Sequence, residues 1–402
     1  MHNKPYIVFA RKYRPTNFLH LQGQDVLVKV INTAIKERRL AHAYLLTGIR
    51  GVGKTTSARI IAKAINCSDL KEEQATIIPC EKCTNCVSIS QGGHPDIIEM
   101  DAASRTGVDD IRDIIDGAQY KPLLGRYKVF IIDEVHMLSK NAFNALLKLL
   151  EEPPAHVIFI FATTEVNKIP VTIISRCQRF DLKRLDENQL YTLLAKICQN
   201  ENVSFEEEAL NIIALKSDGS ARDALSLLDQ AVSLTFAGSE TRITEKVVAG
   251  MVGATNLKIA VDFTHAIFDR NTEQAIAYIN EAYKTGIDLV LFTENVLDYI
   301  ANITKAKTIN NYRSQVFASY APVTKALADK VNLSWLTLVW QLIIKGLFEV
   351  KNSYNMLHSL EMLAIKAIYT TNLPSPKELV EQITNQGQNE AKALETSHPR
   401  QF

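Results

Sequence analysis

The sequence lacks a long uninterrupted run of apolar residues. Its first five residues, MHNKP, contain no apolar segment of the kind found in secretory signal peptides. The most apolar later stretch, residues 333–348, is interrupted by Thr337, Gln341 and Lys345, whereas a membrane-spanning helix needs about 20 mostly apolar residues. We therefore predict a cytoplasmic protein without a membrane segment.

The sequence also has few cysteines, 6 in 402 residues, and its formal net charge is only +1. In a reducing cytosol, clustered cysteines are more often metal ligands than disulfides. The small net charge hides a basic start, because residues 1–40 carry eight Lys and Arg against Asp25 and Glu37. A polyanion such as a nucleotide or DNA is one interpretation of this segment, and a solvated basic face is the other.

The chain shows no internal repeat, and its length exceeds one compact core, since domains hold roughly 100–200 residues. In the first half, short apolar runs at residues 43–47, 96–100, 129–132 and 157–161 alternate with amphipathic stretches. This alternation predicts a parallel α/β sheet. Beyond about residue 183 apolar residues recur at helical spacing, which predicts an all-helical second half with a break at residues 238–241. Residues 371–402 are polar and are predicted to form a tail without a core.

Residues 48–55 read GIRGVGKT and match the phosphate-loop pattern G-x-x-x-x-G-K-[ST] between a predicted strand and a predicted helix. Glycines let backbone N–H groups approach phosphate oxygens, and a helix N-terminus favours negative charge. Lys54 is expected to hold the β- and γ-phosphates of ATP, and Thr55 to place its hydroxyl on Mg²⁺. A glycine-rich turn without a ligand is the alternative. The predicted nucleotide-binding residues of this segment are Gly48, Gly51, Gly53, Lys54, Thr55 and Thr56.

Two further predicted strands end in polar residues, at the position where parallel sheets bind ligands. Asp133 is the expected Mg²⁺ ligand. Glu134 is expected to polarise the attacking water, on the expectation that its strand lies beside the phosphate loop. Thr163 would act near the γ-phosphate or the water if its strand neighbours the other two. Taken alone, these residues are also typical of solvated turns and caps.

Four cysteines have the spacing C-x12-C-x2-C-x2-C, at Cys67, Cys80, Cys83 and Cys86. Four thiolates can close around one tetrahedral Zn²⁺. An iron–sulfur cluster would use the same ligands, but nothing in the sequence indicates a redox partner. Since residues 67–86 lie between the phosphate-loop helix and the strand near residue 96, we predict a structural zinc-binding insertion at the sheet edge. The remaining two cysteines are predicted to be core residues.

Several segments occur in the order that one family has. After the phosphate loop and the cysteine cluster come DAASR at residues 101–105, DEVHM at 133–137, LEEPP at 150–154 and SRC at 175–177. The segment RKYRP at residues 11–15 fits the same series. Over about residues 6–370 the chain resembles the gamma/tau subunit of the bacterial DNA polymerase III clamp loader, an AAA+ family. The resemblance implies an AAA+ core at 1–182, a three-helix lid at 183–242 and a helical collar at 243–370 that closes a five-subunit ring.

The resemblance also implies residue roles. Arg176 would act in trans as an arginine finger in the ATP site of the adjacent subunit, and Arg222 would touch the γ-phosphate of its own subunit. Arg11, Tyr13 and Arg14, which precede Pro15, would pack near the adenine. A basic residue at a helix start, Arg105, would face the DNA backbone without reading its sequence. For each arginine alone, a surface ion pair is the alternative.

The predicted function is that of an ATP-dependent clamp-loader subunit, which loads the sliding clamp on primed DNA for the replicative polymerase. Its cofactors would be ATP, Mg²⁺ and Zn²⁺, and its partners the other ring subunits, the clamp and primed DNA. It would be an ATPase without a polymerase site, since no polymerase carboxylate set is present. One alternative is a non-catalytic nucleotide-binding scaffold, which the intact phosphate loop and carboxylates disfavour. The other is an AAA+ motor on branched DNA, which the cysteine insertion and collar disfavour.

Overall fold

The computed structural model describes residues 6–73, 76–237, 241–251, 254–310, 312, 314, 317 and 320–370. The chain divides into two compact units, residues 1–248 and 249–402. This division falls a few residues after the predicted break at 238–241. The separation of an AAA+ core from a lid within the first unit stays a prediction, and the predicted polar tail lies outside the described residues.

The first unit is built on a five-stranded sheet with neighbouring strands parallel. Its strands are β1 (Ala43–Thr47), β4 (Ile97–Asp101), β5 (Lys128–Asp133), β6 (Val157–Thr163) and β7 (Gln178–Asp181). A separate antiparallel hairpin is formed by β2 (Lys71–Glu73) and β3 (Thr76–Ile78). All four predicted strands are present, with ends shifted by up to two residues. The sequence pattern missed β7 and the hairpin, because these strands are short and mostly polar.

Helices surround the sheet. They are α1 (Phe9–Lys12), α2 (Asp25–Lys36), α3 (Lys54–Asn66), α4 (Thr84–Gln91), α5 (Val108–Gln119), α6 (Lys140–Glu151) and α7 (Val171–Ile174). After the sheet follow α8 (Glu187–Asn200), α9 (Glu207–Lys216), α10 (Ala221–Ala237) and α11 (Glu245–Met251). The helix α6 begins after Ser139, whose Oγ accepts from the Ala142 N–H at 3.2 Å, and ends before two prolines that cannot continue it. The stretch after residue 183 is helical as predicted, apart from β8 (Ser204–Phe205) and β9 (Arg242–Ile243), which pair in parallel. Two-residue strands carry no alternation that a sequence could reveal.

The sheet is covered on both faces, so its central strand, β6, is apolar up to its last residue, Thr163. Every residue of β6 is buried. Phe159 and Phe161 belong to the core on one side, where Phe159 also stacks on Phe130 of β5 at 5.4 Å between ring centroids. Ile158 and Ile160, which alternate with them, belong to the core beneath α3 on the other side. This is the pattern expected of a parallel strand buried on both faces.

The strand order is β4-β5-β6-β1-β7. The strand before Glu134, β5, does not pair with β1, because β6 lies between them, but its end does lie beside the phosphate loop, where Asp133 accepts from Thr55 Oγ1 at 2.6 Å. Neighbour order in a sheet is a long-range property that the local sequence does not encode. The strand of Thr163 does neighbour the other two, and Thr163 aligns with Thr47 at the end of β1. The carboxyl ends of β1, β5 and β6 therefore lie along one edge.

The described part of the second unit is helical. Its helices are α12 (Ala254–Phe268), α13 (Thr272–Lys284), α14 (Leu289–Thr308), α15 (Ala321–Lys330), α16 (Leu333–Asn352) and α17 (Met356–Thr370). By length and composition alone, α16 could cross a membrane. Leu336, Val339 and Ile343 on this helix are buried in the core of the unit, whereas Phe348 is 73% exposed. The prediction that the chain has no membrane segment stays a prediction.

Candidate active site

The phosphate loop joins β1 to α3 in a conformation that depends on glycine. Gly48, Gly51 and Gly53 have φ of 143°, 76° and 107°, a region that other residues adopt only at a cost. Lys54 begins α3 and is 5% exposed. Its Nζ donates to the carbonyl oxygens of Gly48 and Ile49, both at 3.0 Å. Burial lowers the pKa of Lys54, and the charges of nearby Glu134 and Asp133 oppose that shift. The loop thus encloses a buried amine beside a helix N-terminus, an arrangement suited to phosphate.

Thr55 and Asp133 meet although a strand separates β1 from β5. Thr55 Oγ1 donates to Asp133 Oδ2 at 2.6 Å, and Asp133 Oδ1 accepts from the Glu134 N–H at 2.9 Å. A hydroxyl and a carboxylate are the hard oxygen ligands that Mg²⁺ prefers. These two side chains therefore fit the predicted Mg²⁺ site, in which nucleotide phosphates would supply further oxygens.

Glu134 and Thr163 are connected by a histidine. Thr163 is fully buried, and its Oγ1 lies 3.0 Å from His136 Nδ1. The Glu134 carboxylate accepts from Thr164 Oγ1 at 3.1 Å and lies 3.4 Å from the same His136 nitrogen. The sequence pattern predicts no role for His136 or Thr164. Thr164 directly follows Thr163, and His136 lies two residues after Glu134 within the DEVHM segment, but their contacts cross between strands and are not visible in the sequence.

The start of α10 lies against the phosphate loop. The Arg222 N–H donates to the Gly51 carbonyl oxygen at 3.3 Å, and a Cβ added to Gly51 would lie 2.0 Å from Ser220 Oγ. The segment that contains Arg222, which is predicted to touch the γ-phosphate, is thus in direct contact with the phosphate loop. Contact between the Arg222 guanidinium and a nucleotide stays a prediction.

The segment before α2 connects the phosphate-loop helix to α8. Arg14 Nε donates to Thr56 Oγ1 at 3.0 Å, and Tyr13 Oη donates to Glu201 at the end of α8. Burial and the hydrogen bond to Glu201 raise the pKa of Tyr13 to about 12. Arg11 is exposed. Of the residues predicted near the adenine, Arg14 therefore contacts α3 and Tyr13 contacts the end of α8. Arg105, predicted to face DNA, is exposed before α5.

Arg176 lies far from the phosphate loop of its own chain. Its Nη2 donates to Glu151 Oε1 at 2.6 Å and its Nη1 to the Thr172 carbonyl oxygen at 2.7 Å. It precedes β7, and Gln178 of β7 pairs with Tyr44 near the start of β1, whereas the phosphate loop leaves the end of β1. A strand rises about 3.3 Å per residue, so the two ends of β1 are separated by roughly 10 Å or more. The geometry disfavours a role of Arg176 in its own nucleotide site.

The four clustered cysteines converge on one point. Their Sγ atoms lie within 4.8 Å of one another, and those of Cys80 and Cys86 are 4.0 Å apart. Tetrahedral Zn²⁺ with bonds of about 2.3 Å needs sulfurs about 3.8 Å apart. Backbone N–H groups of Cys80, Cys83 and Cys86 donate to the sulfurs of Cys67, Cys80 and Cys83, respectively, at 3.3–3.4 Å, which stabilises thiolates. The cluster fits zinc.

The two other cysteines lie outside this cluster. Burial raises the thiol pKa of Cys177 to about 12 and that of Cys198 to about 11, so both thiols are protonated at neutral pH. Cys198 is 1% exposed, as predicted for a core residue, whereas Cys177 is only partly buried and packs against the core.

The sheet order, the glycine loop after its β1 strand and the helical segment in contact with that loop define an AAA+ ATPase fold. Three family models match in succession. "DNA polymerase III, delta subunit" matches residues 23–186, "DNA polymerase III clamp loader subunit, ATPase lid domain" residues 189–236, and "DNA polymerase III subunits gamma and tau domain III" residues 243–383.

Curated relatives match nearly the whole chain. DNA polymerase III subunit gamma of Buchnera aphidicola (subsp. Schizaphis graminum) is 40% identical over 364 residues, which cover 90% of this chain and 98% of the relative. Subunit tau of Salmonella typhimurium is 40% identical over 373 residues, 92% of this chain and 57% of the relative. The chain thus spans little more than half the length of the tau relatives. It belongs to the DNA polymerase III gamma/tau subunit family.

Among solved structures, the Thermotoga maritima RuvB Holliday junction branch migration motor matches 69% of this chain and 86% of its own. The identity is 20% and the TM-score 0.47. A likeness at this level supports no functional statement.

Proposed function

We propose that the chain is an ATP-hydrolysing clamp-loader subunit that acts in a cytoplasmic ring with other subunits and loads a sliding clamp on primed DNA. One observation of the structure carries the proposal. The phosphate loop follows the carboxyl end of β1, whereas Arg176 lies near the opposite, amino-terminal ends of β1 and β7. Each chain therefore has a nucleotide site at one end of its strands and an arginine at the other. A ring in which neighbours complete each other's sites uses both. The match to gamma along almost the full length of that relative supports the same assignment.

In this proposal, the residues around the phosphate loop bind ATP and orient water. Lys54 holds the β- and γ-phosphates, and Thr55 and Asp133 hold Mg²⁺. The metal ion, when bound, neutralises charge on the phosphates. Glu134 and Thr163 orient the attacking water at the carboxyl edge of the sheet. Arg222 carries the state of the γ-phosphate to the lid through its contact with Gly51.

Arg176 acts in the site of the neighbouring subunit. Within its own chain it pairs with the exposed Glu151, and exposed pairs of this kind contribute at most about 1 kcal/mol. The pair can therefore open at little cost when a neighbour presents a triphosphate. An arginine finger typically contributes about 10³–10⁵ in rate, or roughly 4–7 kcal/mol.

The zinc-binding insertion is proposed to be structural. Its four cysteines lie between α3 and β4, away from Thr55 and Asp133 along the chain, and no catalytic role is needed for them. The polymerase activity belongs to the assembly, whose other members would supply it.

The test is steady-state ATP hydrolysis by the chain mixed with its ring partners, with and without sliding clamp and primed DNA. The proposal predicts stimulation by clamp and DNA that is lost in Arg176→Ala. Arg179→Ala is the matched control, because Arg179 lies on the adjacent strand in an exposed pair with Asp181 at 2.7 Å. Hydrolysis that is indifferent to clamp and DNA, or equal loss in both variants, would favour a scaffold or an unrelated motor.

A further inference from the structure

The backbone of Glu134 is held in a strained conformation. Its φ of 45° and ψ of 44° lie in the left-handed region, which costs a non-glycine residue about 1–3 kcal/mol and persists where the surroundings fix it. A 3₁₀ turn, Val135–Met137, follows immediately. This turn places the His136 ring next to the carboxylate of Glu134, which lies two residues earlier in the chain.

The His136 imidazole is enclosed by polar groups from two elements. Its side chain is only 6% exposed. On one side, Nδ1 faces Thr163 Oγ1 at 3.0 Å and Glu134 Oε2 at 3.4 Å. On the other side, Nε2 lies 3.4 Å from Glu165 Oε1. The ring therefore has a polar neighbour at each nitrogen, and its orientation is fixed from both ends.

The groups around the ring are themselves anchored. The Glu165 N–H donates to Thr163 Oγ1 at 3.0 Å, so this hydroxyl has its own proton left to donate. Thr164 Oγ1 donates to Glu134 Oε2 at 3.1 Å. Glu134 and Thr163 thus sit on two different strand ends, and His136 is the side chain that touches both. Without the ring, the bond from Thr164 Oγ1 is the one hydrogen bond that holds the Glu134 carboxylate among the described residues.

We propose that His136 is a positioning residue for ATP hydrolysis, which fixes the Glu134 carboxylate and the Thr163 hydroxyl relative to one another so that both act on the same water. This inference rests on the proposed function, since it takes Glu134 and Thr163 as the groups that face the water. His136 touches neither the nucleotide-binding loop nor the predicted Mg²⁺ ligands in the contacts described above. Its effect is on kcat, whereas ATP binding is left to Lys54 and Thr55.

The experiment compares variants of His136 that remove both ring nitrogens or keep a polar atom near the position of one of them. His136→Leu removes both nitrogens, His136→Asn keeps a polar atom near the position of Nδ1, and His136→Gln keeps one near Nε2. A matched control is His94→Leu, which removes another buried imidazole of the first unit, 4% exposed and hydrogen bonded to the Asp96 N–H. Each variant is measured in the full complex with clamp and primed DNA, for kcat, KM and thermal unfolding.

The expected result is a fall in kcat of about 10- to 100-fold for His136→Leu, the size typical of misplacing a reacting group by about 1 Å. KM should change less than about twofold, because only transition-state contacts are lost. His136→Asn should recover most of the loss and His136→Gln less. His94→Leu should lower the unfolding temperature and leave kcat near the native value.

A double-mutant cycle separates positioning from a structural role. If His136 acts through Glu134, adding His136→Leu to Glu134→Gln should lower kcat by less than about twofold further, since groups that act as a unit are not additive. Losses that multiply would overturn the inference. A native kcat in His136→Leu, beside a strongly lowered kcat in Glu134→Gln, would overturn the inference alone. A native kcat in Glu134→Gln would overturn the proposed active site and this inference with it.

Discussion

The contact between the phosphate loop and α10 can be tested by adding a single methyl group. Gly51 and Gly92 both have a φ of 76°. A Cβ on Gly92 would meet nothing within 4 Å, whereas a Cβ on Gly51 would lie 2.0 Å from Ser220 Oγ and 3.2 Å from Arg222 Cβ. Gly92→Ala therefore measures backbone strain alone, and Gly51→Ala measures the same strain plus a collision with the lid.

The two contributions differ in size and in consequence. The left-handed backbone costs an alanine roughly 1–2 kcal/mol, and overpacking a buried contact adds about 1–3 kcal/mol. In the chain without nucleotide, we expect α10 to shift away from the loop and relieve the collision. If ATP binding closes the lid onto the loop, as the proposed function expects, the second cost falls on the ATP dissociation constant. At 1.4 kcal/mol per factor of ten, Gly51→Ala should weaken ATP binding about 5- to 150-fold.

The assay is titration calorimetry with a non-hydrolysable ATP analogue. Gly92→Ala should bind it as the native chain does. Adding Ser220→Ala to Gly51→Ala should recover part of the affinity, because the atom at 2.0 Å is removed while Arg222 Cβ remains at 3.2 Å. Equal affinities for Gly51→Ala and Gly92→Ala would refute the idea that α10 rests on the phosphate loop in the ATP-bound chain.

Three further predictions concern the rest of the first unit. Cys86→Ser should remove one ligand and lower the zinc content measured by elemental analysis well below one ion per chain, whereas Cys198→Ser, outside the cluster, should leave it unchanged. Asp96 is fully buried and accepts the N–H groups of Leu123, Leu124 and Gly125, each at 2.7 Å, so Asp96→Ala should cost at least about 3 kcal/mol in urea unfolding, whereas the exposed Asp113→Ala should cost little. Burial and the bond to Glu201 raise the pKa of Tyr13 from 10.0 to about 12 in the folded chain, so the protonated phenol should contribute stability below pH 10 that is lost as pH rises through about 12. Ultraviolet titration should show one late-ionising tyrosine fewer in Tyr13→Phe, and an unchanged titration would contradict the assignment.

The parts of the site that lie within one short segment could be predicted from the sequence. The phosphate loop is an example, because the glycine spacing itself sets the backbone path between β1 and α3. The cysteine cluster is another, since three of its members lie within seven residues. Both patterns impose their geometry locally and need no knowledge of the remaining chain.

Contacts between distant segments could not be predicted. The insertion of β6 between β1 and β5 depends on which apolar strands pair, and all of them look alike in sequence. The short strand β7 was missed, because its four residues include three polar ones. The position of His136 between Glu134 and Thr163 requires both the 3₁₀ turn and the neighbouring strand. The collision partner of Gly51 belongs to a helix that begins far along the chain.

The central claim is that this chain uses ATP to load a sliding clamp on primed DNA. The most direct measurement is retention of fluorescently labelled clamp on primed circular DNA after gel filtration, with the chain and its ring partners present. ATP-driven clamp loading predicts retention with ATP, little with ADP, and loss of retention for Arg176→Ala but not for Arg179→Ala. Equal retention with ADP and ATP, or none with ATP in a complex that hydrolyses it, would contradict the account.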